Sequence, residues 1–117
     1  MTLLYYRTST NSQDEDMQIT AAHALVQNLG MRNILEFNDH GISANKVPLP
    51  KRPQLNKVLN LIKEGRVENL VVFARDRLAR DTYEYSEILS ILYDHNVNVY
   101  FTMQNTPPLS GRIECLS

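Results

Sequence analysis

Two adjoining stretches decide the fold: the apolar run Leu70-Val71-Val72-Phe73 and the charged segment Arg75-Asp76-Arg77-Leu78-Ala79-Arg80-Asp81. A continuous apolar run is typical of a strand in a parallel sheet that helices cover on both faces. The start of the chain repeats the arrangement, because the β-rich run from Thr2 to Tyr6 leads into Arg7-Thr8-Ser9-Thr10. If both runs are strands of one parallel sheet, the arginines and Ser9 lie at the same edge.

Three further segments carry apolar residues at helical spacing. The first helix begins at the capping-box sequence Ser12-Gln13-Asp14-Glu15 and is stopped by Gly30. The second begins at Pro53 and ends before Gly65, and the third begins at a second capping box, Asp81-Thr82-Tyr83-Glu84. The predicted apolar faces are Met17, Ala21, Ala24, Leu25 and Leu29; Leu55, Val58, Leu59 and Ile62; and Tyr85, Ile88, Leu89 and Leu92.

Two more β-rich runs complete the pattern, Ile34 to Asn38 and Val97 to Thr102. The alternation of strands and helices predicts right-handed crossovers and an α/β fold with an open, mostly parallel sheet of four or five strands flanked by helices. In such sheets the functional site lies outside the carboxyl ends of the strands. Ser9, Asp39 and Asp76 each follow a predicted strand, so all three are expected at that edge.

Composition indicates one domain, because the chain has 117 residues and no internal repeat. The net charge is −1, but residues 46–80 carry nine Lys and Arg against three Asp and Glu, which favours a phosphate-bearing partner. A lone cysteine, Cys115, excludes a disulfide framework, and no residues have metal-ligand spacing, so no metal or other cofactor is expected. Neither a signal peptide nor a membrane-spanning stretch is recognisable, which predicts a soluble, cytoplasmic protein without membrane contact.

Arginine beside a hydroxyl group indicates a type of chemistry. The planar guanidinium matches the oxygens of a phosphate and never loses its charge. Arg7 and the segment 75–80 would bring four arginines, a carboxylate and the Ser9 hydroxyl to one sheet edge. The pattern therefore predicts phosphoryl transfer with serine as the nucleophile.

Four motifs follow one another along the chain: Tyr5-Tyr6-Arg7-Thr8-Ser9-Thr10, Asp39-His40-Gly41-Ile42-Ser43, Lys51-Arg52-Pro53-Gln54-Leu55 and the segment 75–81. They resemble the Y-x-R-x-S-T, D-x-G-x-S, D-R-P-x-L and L-D-R-L-x-R-D motifs of the serine recombinases, the resolvase/invertase family. Lys51 and Arg75 depart from the usual residues. The resemblance covers essentially the whole chain. Residues 1–117 are therefore expected to be a resolvase-like catalytic domain, truncated before the long oligomerisation helix and the DNA-binding domain.

The resemblance implies site-specific DNA recombination without a cofactor. Ser9 would cleave a DNA phosphodiester, forming a 5′-phosphoserine intermediate, and the strands would then be rejoined. The implied partners are DNA and further copies of the protein, as a dimer and a tetramer of the full-length form. The matching catalytic positions are the nucleophile Ser9, the arginines Arg7, Arg77, Arg80 and Arg52, the proton donor or orienter Asp76, and the supporting Gln18 and Asp39.

The segment 39–52 carries one of these arginines. It contains Gly41, Pro48 and Pro50 with little periodicity, so it is predicted to be a long loop. We expect it to be the most mobile internal segment and to close over DNA through Arg52.

Simpler interpretations exist for individual residues. Asp76 could merely pair with a neighbouring arginine, Gln18 could be an ordinary exposed helix residue, and Asp39 could cap a turn. At the level of the protein, the alternative is a non-catalytic truncated remnant that associates with full-length recombinases. A small phosphatase or nucleotide-binding domain is a weaker alternative, because no Gly-rich phosphate loop follows the first strand.

Overall fold

The computed structural model of the protein describes residues 1–8, 12–40, 52–79 and 81–103. Its elements in chain order are β1 (Thr2–Thr8), α1 (Ser12–Leu29), β2 (Ile34–His40), α2 (Pro53–Lys63), β3 (Asn69–Val72), α3 (Arg75–Leu78), α4 (Thr82–Asp94) and β4 (Asn98–Phe101). Most of the predicted loop, residues 41–51, lies outside the described residues, so its mobility stays a prediction.

The strands of the described region form one parallel sheet in the order β2-β1-β3-β4. This arrangement confirms the predicted open α/β fold. In the register of the sheet, Tyr5 lies opposite Val72, the last residue of β3, whereas Arg7 lies opposite Asp39 of β2. β1 therefore extends beyond the end of β3, and α3 packs beside β1.

Two apolar cores cover the two faces of the sheet, because alternate residues of a strand point to opposite faces. On one face, Leu3, Tyr5 and the other inward residues of the strands pack against α2 and α4, with Leu78 of α3. On the other face, Leu4 and Tyr6 pack against α1. The prediction of helices on both faces is thus confirmed, with α1 on one face and the other described helices opposite it.

The predicted apolar face of α1 was wrong by about one position. Gln18, Ala22 and Val26 are the buried residues of this helix, whereas Met17 and Leu29 are 48% and 52% exposed. The apolar residues of α1 fit two neighbouring faces equally well, so periodicity alone could not choose between them. The observed face directs the polar side chain of Gln18 toward the sheet.

The long helices end in the left-handed conformation that glycine and asparagine adopt most easily. After α1, Gly30 has a φ of +64°, and the Met31 N–H donates to the Val26 carbonyl at 3.1 Å. Gly65 ends α2 in the same way, with a φ of +77°. The predicted stops at these glycines are confirmed. Asn96, with a φ of 55°, performs the same function after α4. No helix of the described region is long and apolar enough to cross a membrane.

Element boundaries near the carboxyl edge differ from the predictions. β1 and β2 each end two residues later than expected, at Thr8 and His40. Asp39 therefore lies inside β2, and the prediction that it follows the strand was wrong. The short helix α3 was not predicted, because four residues are too few to show helical periodicity.

Candidate active site at the carboxyl edge of the sheet

Side chains from several elements meet at the carboxyl edge of the sheet. β1 contributes Arg7, β2 contributes Asp39, and Arg52 directly precedes α2. Gln18 comes from α1, and Arg77 comes from α3, which packs beside β1. The other predicted site residues have no described side chain: Ser9, Asp76 and Arg80.

A buried ion pair involves Arg52. The guanidinium is fully buried, and its Nη1 donates to the main-chain oxygen of Leu78 at 3.2 Å. Its Nη2 forms an ion pair with the carboxylate of Glu84, which is 7% exposed. A buried pair of this kind is costly to break by removing one partner, because the remaining charge stays away from water. Arg52 thus joins the start of α2 to the end of α3 and to α4.

Asp39 holds the first turn of α2 from the neighbouring strand. Its Oδ1 accepts a hydrogen bond from the Gln54 N–H at 3.0 Å, and its Oδ2 accepts one from the Leu55 N–H at 3.1 Å. The Tyr5 hydroxyl donates to Oδ2 at 2.7 Å. A carboxylate here satisfies helix N–H groups and complements the positive end of the helix dipole. The interpretation of Asp39 as a capping residue therefore fits, although it caps a helix rather than a turn.

The environment of Tyr5 suppresses its ionisation. Burial raises the pKa of Tyr5 well above its ordinary value, and the hydrogen bond to Asp39 and the charge of that carboxylate raise it further. Arg52 and Arg7 act in the opposite direction, by attracting a tyrosinate. Both arginines therefore lie within electrostatic range of this hydroxyl.

A loss of stability in alkaline solution follows from this environment. The unfolded chain releases the Tyr5 proton near the ordinary pKa of 10.0, whereas the folded protein retains it. The contribution of Tyr5 to the free energy of unfolding is therefore complete below that pH. Above it, the free energy of unfolding falls by about 1.4 kcal/mol per pH unit for each tyrosine that stays protonated in the folded protein. Denaturant unfolding at a series of pH values should show that the free energy of unfolding falls less above pH 10 in Tyr5→Phe than in the wild type.

The matched control for this measurement is Tyr83→Phe, because Tyr83 is 86% exposed. We expect the free energy of unfolding of this variant to fall at alkaline pH as much as that of the wild type. Burial also raises the pKa of Tyr6, assisted by Glu36, so Tyr5→Phe should remove only part of the loss. An unchanged pH dependence in Tyr5→Phe would contradict the described environment.

A polar network on the α1 side connects β1 to α3. The Gln18 Nε2 donates to the main-chain oxygen of Arg7 at 3.2 Å and to the Asp14 Oδ2 at 3.1 Å. The other oxygen of Asp14 accepts from the Nη2 of Arg77 at 3.0 Å. Gln18 is buried, so the interpretation of an ordinary exposed helix residue was wrong. The network places Arg77 next to the end of β1.

The two arginines of α3 point in different directions. The Arg75 guanidinium lies over the rings of Tyr85 and Phe101, with its Cζ 5.9 Å and 5.7 Å from the ring centroids. Arg77 lies over Phe73 instead, at 5.9 Å. Arg75 therefore does not join the expected cluster of four arginines, because it packs toward α4 and β4.

Three contacts at this edge were not predicted from the sequence. The acidic residues Asp14 and Glu84 were assigned only to helix starts, and Tyr5 only to a motif. Asp81 does accept a hydrogen bond from the Glu84 N–H at 2.9 Å, but the Glu84 carboxylate pairs with Arg52. The spacing of Asp14 and Gln18, one helical turn apart, was the available signal. Among the described residues, no group of three His, Cys, Asp or Glu side chains could hold a metal ion.

Comparison with known proteins identifies the family of the chain. The family model described as "Resolvase, N terminal domain" matches residues 2–113. The chain therefore belongs to the resolvase family, as its motifs predicted.

Curated relatives carry consistent names. A putative resolvase of Acanthamoeba polyphaga mimivirus, R771, is 30% identical over 97% of this chain and 57% of its own length. The transposon Tn917 resolvase of Enterococcus faecalis is 29% identical over 86% of this chain and 48% of its own length. The chain thus spans about half the length of the curated relatives it matches.

Solved structures support the same fold. A resolvase family site-specific recombinase from Streptococcus pneumoniae has a TM-score of 0.70 and 29% identity, covering 86% of this chain and 70% of that chain. The N-terminal catalytic domain of TP901-1 integrase has a TM-score of 0.72 at 20% identity, covering 86% of this chain and 75% of that chain. At that identity the second likeness concerns the fold alone.

Proposed function

We propose that this chain is the catalytic domain of a site-specific serine recombinase. The observation that carries the proposal is a hydrogen-bond network in a member of the resolvase family. Through Gln18 and Asp14, it joins the main chain of Arg7, two residues before Ser9 in the sequence, to Arg77 of α3. The substrate is a phosphodiester of DNA, and the reaction is cleavage followed by rejoining.

The proposed chemistry conserves a phosphate ester bond. The Ser9 Oγ attacks the phosphorus and loses its proton to water, so that an Oγ–P bond forms while the bond to the 3′ oxygen breaks. The leaving oxygen receives a proton and becomes a free 3′-hydroxyl, and the DNA 5′ end stays linked to serine. Attack by a 3′-hydroxyl reverses these steps and rejoins the strand.

The arginines stabilise the negative charge that develops on the phosphorane oxygens. We assign this role to Arg77, Arg80 and Arg7. Asp76 is proposed to donate the proton to the leaving oxygen or to orient the arginines. Gln18 and Asp39 support the site through the hydrogen bonds described above, because one holds the β1 backbone and the other holds α2.

Arg52 is the fourth proposed phosphate ligand. In the described conformation its guanidinium is buried and paired with Glu84, so contact with a phosphate requires this pair to open. Arg7 is also buried, with 1% of its surface exposed. DNA binding would therefore have to rearrange the edge of the sheet before chemistry.

Further copies of the protein are proposed partners. One subunit offers one Ser9 and cuts one strand, whereas exchange between two duplexes requires four cuts. A tetramer assembled from two dimers would supply four nucleophiles. The Ser9-bound ends must stay near one another until they are rejoined, which a tetramer achieves.

A trapping assay tests the function. In a chimaera, this chain replaces the matching region of the Streptococcus pneumoniae site-specific recombinase, and the substrate is nicked DNA carrying the site of that recombinase. A nick near the cleavage point lets the cut fragment diffuse away, so the covalent intermediate accumulates. We expect a protein–DNA adduct that survives denaturing electrophoresis, as for the parent recombinase.

The parent protein is the positive control for this assay. If the chimaera binds the DNA as tightly as the parent but forms no adduct, the chain is a non-catalytic partner. That result would favour the alternative of a truncated remnant.

A further inference from the structure

Asp14 occupies a central place between α1 and α3. It belongs to the first turn of α1, and its two carboxylate oxygens have different partners. Oδ1 accepts from the Nη2 of Arg77 at 3.0 Å, and Oδ2 accepts from the Nε2 of Gln18 at 3.1 Å. The Asp14 and Arg77 side chains are only 14% and 20% exposed. Such partial burial shields the pair from the screening that weakens surface ion pairs.

The network extends from Asp14 to the nucleophile's strand. The same Gln18 amide donates to the main-chain oxygen of Arg7 at 3.2 Å. One turn of α1 therefore fixes the distance between the end of β1 and the arginine of α3. Because α3 has only four residues, its own hydrogen bonds provide little rigidity.

Arg77 retains donors for a second partner. A guanidinium has five N–H groups, and Asp14 accepts a hydrogen bond from Nη2. The buried Nε of Arg77 has no hydrogen-bond partner within the described part of the chain. The Cζ of Arg77 also lies over the ring of Phe73, 5.9 Å from its centroid. Arg77 is thus held from one side with donors to spare.

We propose that Asp14 is a positioning residue that holds Arg77 in the orientation in which it stabilises the transferring phosphate. The proposal rests on the proposed function. Without the carboxylate, the long side chain of Arg77 would sample many rotamers, and the reacting phosphate would meet a correctly placed guanidinium less often. The negative charge of Asp14 does not favour DNA binding, because it repels phosphate.

Loss of the Asp14 carboxylate should slow adduct formation without weakening DNA binding. Asp14→Asn retains the size of the side chain but loses the charge that holds Arg77. In the chimaera, the rate of adduct formation should fall roughly 10- to 100-fold. The dissociation constant for the same DNA should stay within about twofold or become slightly lower, because one repulsive charge is removed.

The chain provides a matched control on the same helix. Asp16 is exposed, and Asp16→Asn removes the same charge two residues away. We expect this variant to cleave at the wild-type rate. Asp14→Glu restores a carboxylate at slightly longer reach and should recover a large part of the lost rate. Equal losses in both Asn variants would indicate a general charge effect and would overturn the proposal.

A second measurement is independent of activity. In the unmodified chain, nuclear magnetic resonance of the arginine side chains reports rotation about the Nε–Cζ bond of Arg77. We expect slow rotation in the wild type and in Asp16→Asn, and fast rotation in Asp14→Asn. Fast rotation in the wild type would overturn the proposal whether or not the chimaera is active.

The two possible failures can be told apart. If the wild-type chimaera forms no adduct, the proposed function fails. If it forms an adduct and Asp14→Asn forms it equally fast or faster, the function stands and the positioning role is wrong. Thermal unfolding of each variant, followed by circular dichroism, shows whether a slower reaction reflects loss of the fold. If Asp14→Asn is unfolded, the test is the rate of Asp14→Glu: recovery of a large part of the wild-type rate supports the positioning role, and no recovery in a folded Asp14→Glu overturns it.

Discussion

Ser9→Ala is expected to abolish the covalent protein–DNA adduct while leaving DNA binding close to that of the wild type. Formation of the phosphoserine bond requires the hydroxyl oxygen of Ser9, and alanine offers no nucleophile. Binding depends instead on basic side chains that neutralise phosphates, which this substitution leaves unchanged. The chimaera and nicked DNA serve for both measurements, with denaturing electrophoresis for the adduct and a gel-shift titration for affinity.

The neighbouring position supplies the control for this experiment. Thr8→Ser retains a hydroxyl at the last residue of β1, where Thr8 donates to the Asn38 Oδ1 at 3.1 Å. We expect this variant to form the adduct. If Ser9→Ala retained covalent attachment, another residue would be the nucleophile.

Arg52→Ala is expected to destabilise the fold by about 3–5 kcal/mol, because it leaves the Glu84 carboxylate buried without its cation. The Leu78 carbonyl also loses a donor, so the end of α3 is no longer held against α2. Denaturant unfolding of the isolated chain measures the effect. The midpoint should fall while the slope stays constant, as for a change of stability without a change of compactness.

A double variant separates the ion pair from simple packing. Arg52→Met combined with Glu84→Leu removes both charges and retains much of the buried volume. Since buried pairs can often be replaced by apolar residues at little cost, its stability should lie within about 1–2 kcal/mol of the wild type. A loss below about 1 kcal/mol in Arg52→Ala alone would contradict the described pair.

The architecture was largely predictable because it depends on local patterns. The apolar run at 70–73 predicted a buried strand, and the glycines after α1 and α2 predicted where those helices end. The face of α1 was not predictable, since Gln18 is buried for its hydrogen bonds rather than for its hydropathy. Burial of a polar residue leaves no signal in a hydrophobic pattern.

The site was only partly predictable. The strand ends and the motifs indicated Arg7 and Arg77, which Gln18 and Asp14 link through hydrogen bonds. They could not reveal that Arg52 pairs with Glu84, 32 positions away, because that contact depends on how α2 packs against α4. The role of Asp39 at the start of α2 depends in the same way on the register of the sheet.

The most direct test of the central claim is identification of the atom that holds the DNA in the trapped adduct. Protease digestion and mass spectrometry of the complex should yield a nucleotide remnant on the peptide that contains Ser9, joined to the serine oxygen through a 5′ phosphate. A remnant on a tyrosine or another residue, or attachment through a 3′ phosphate, would contradict the proposed mechanism.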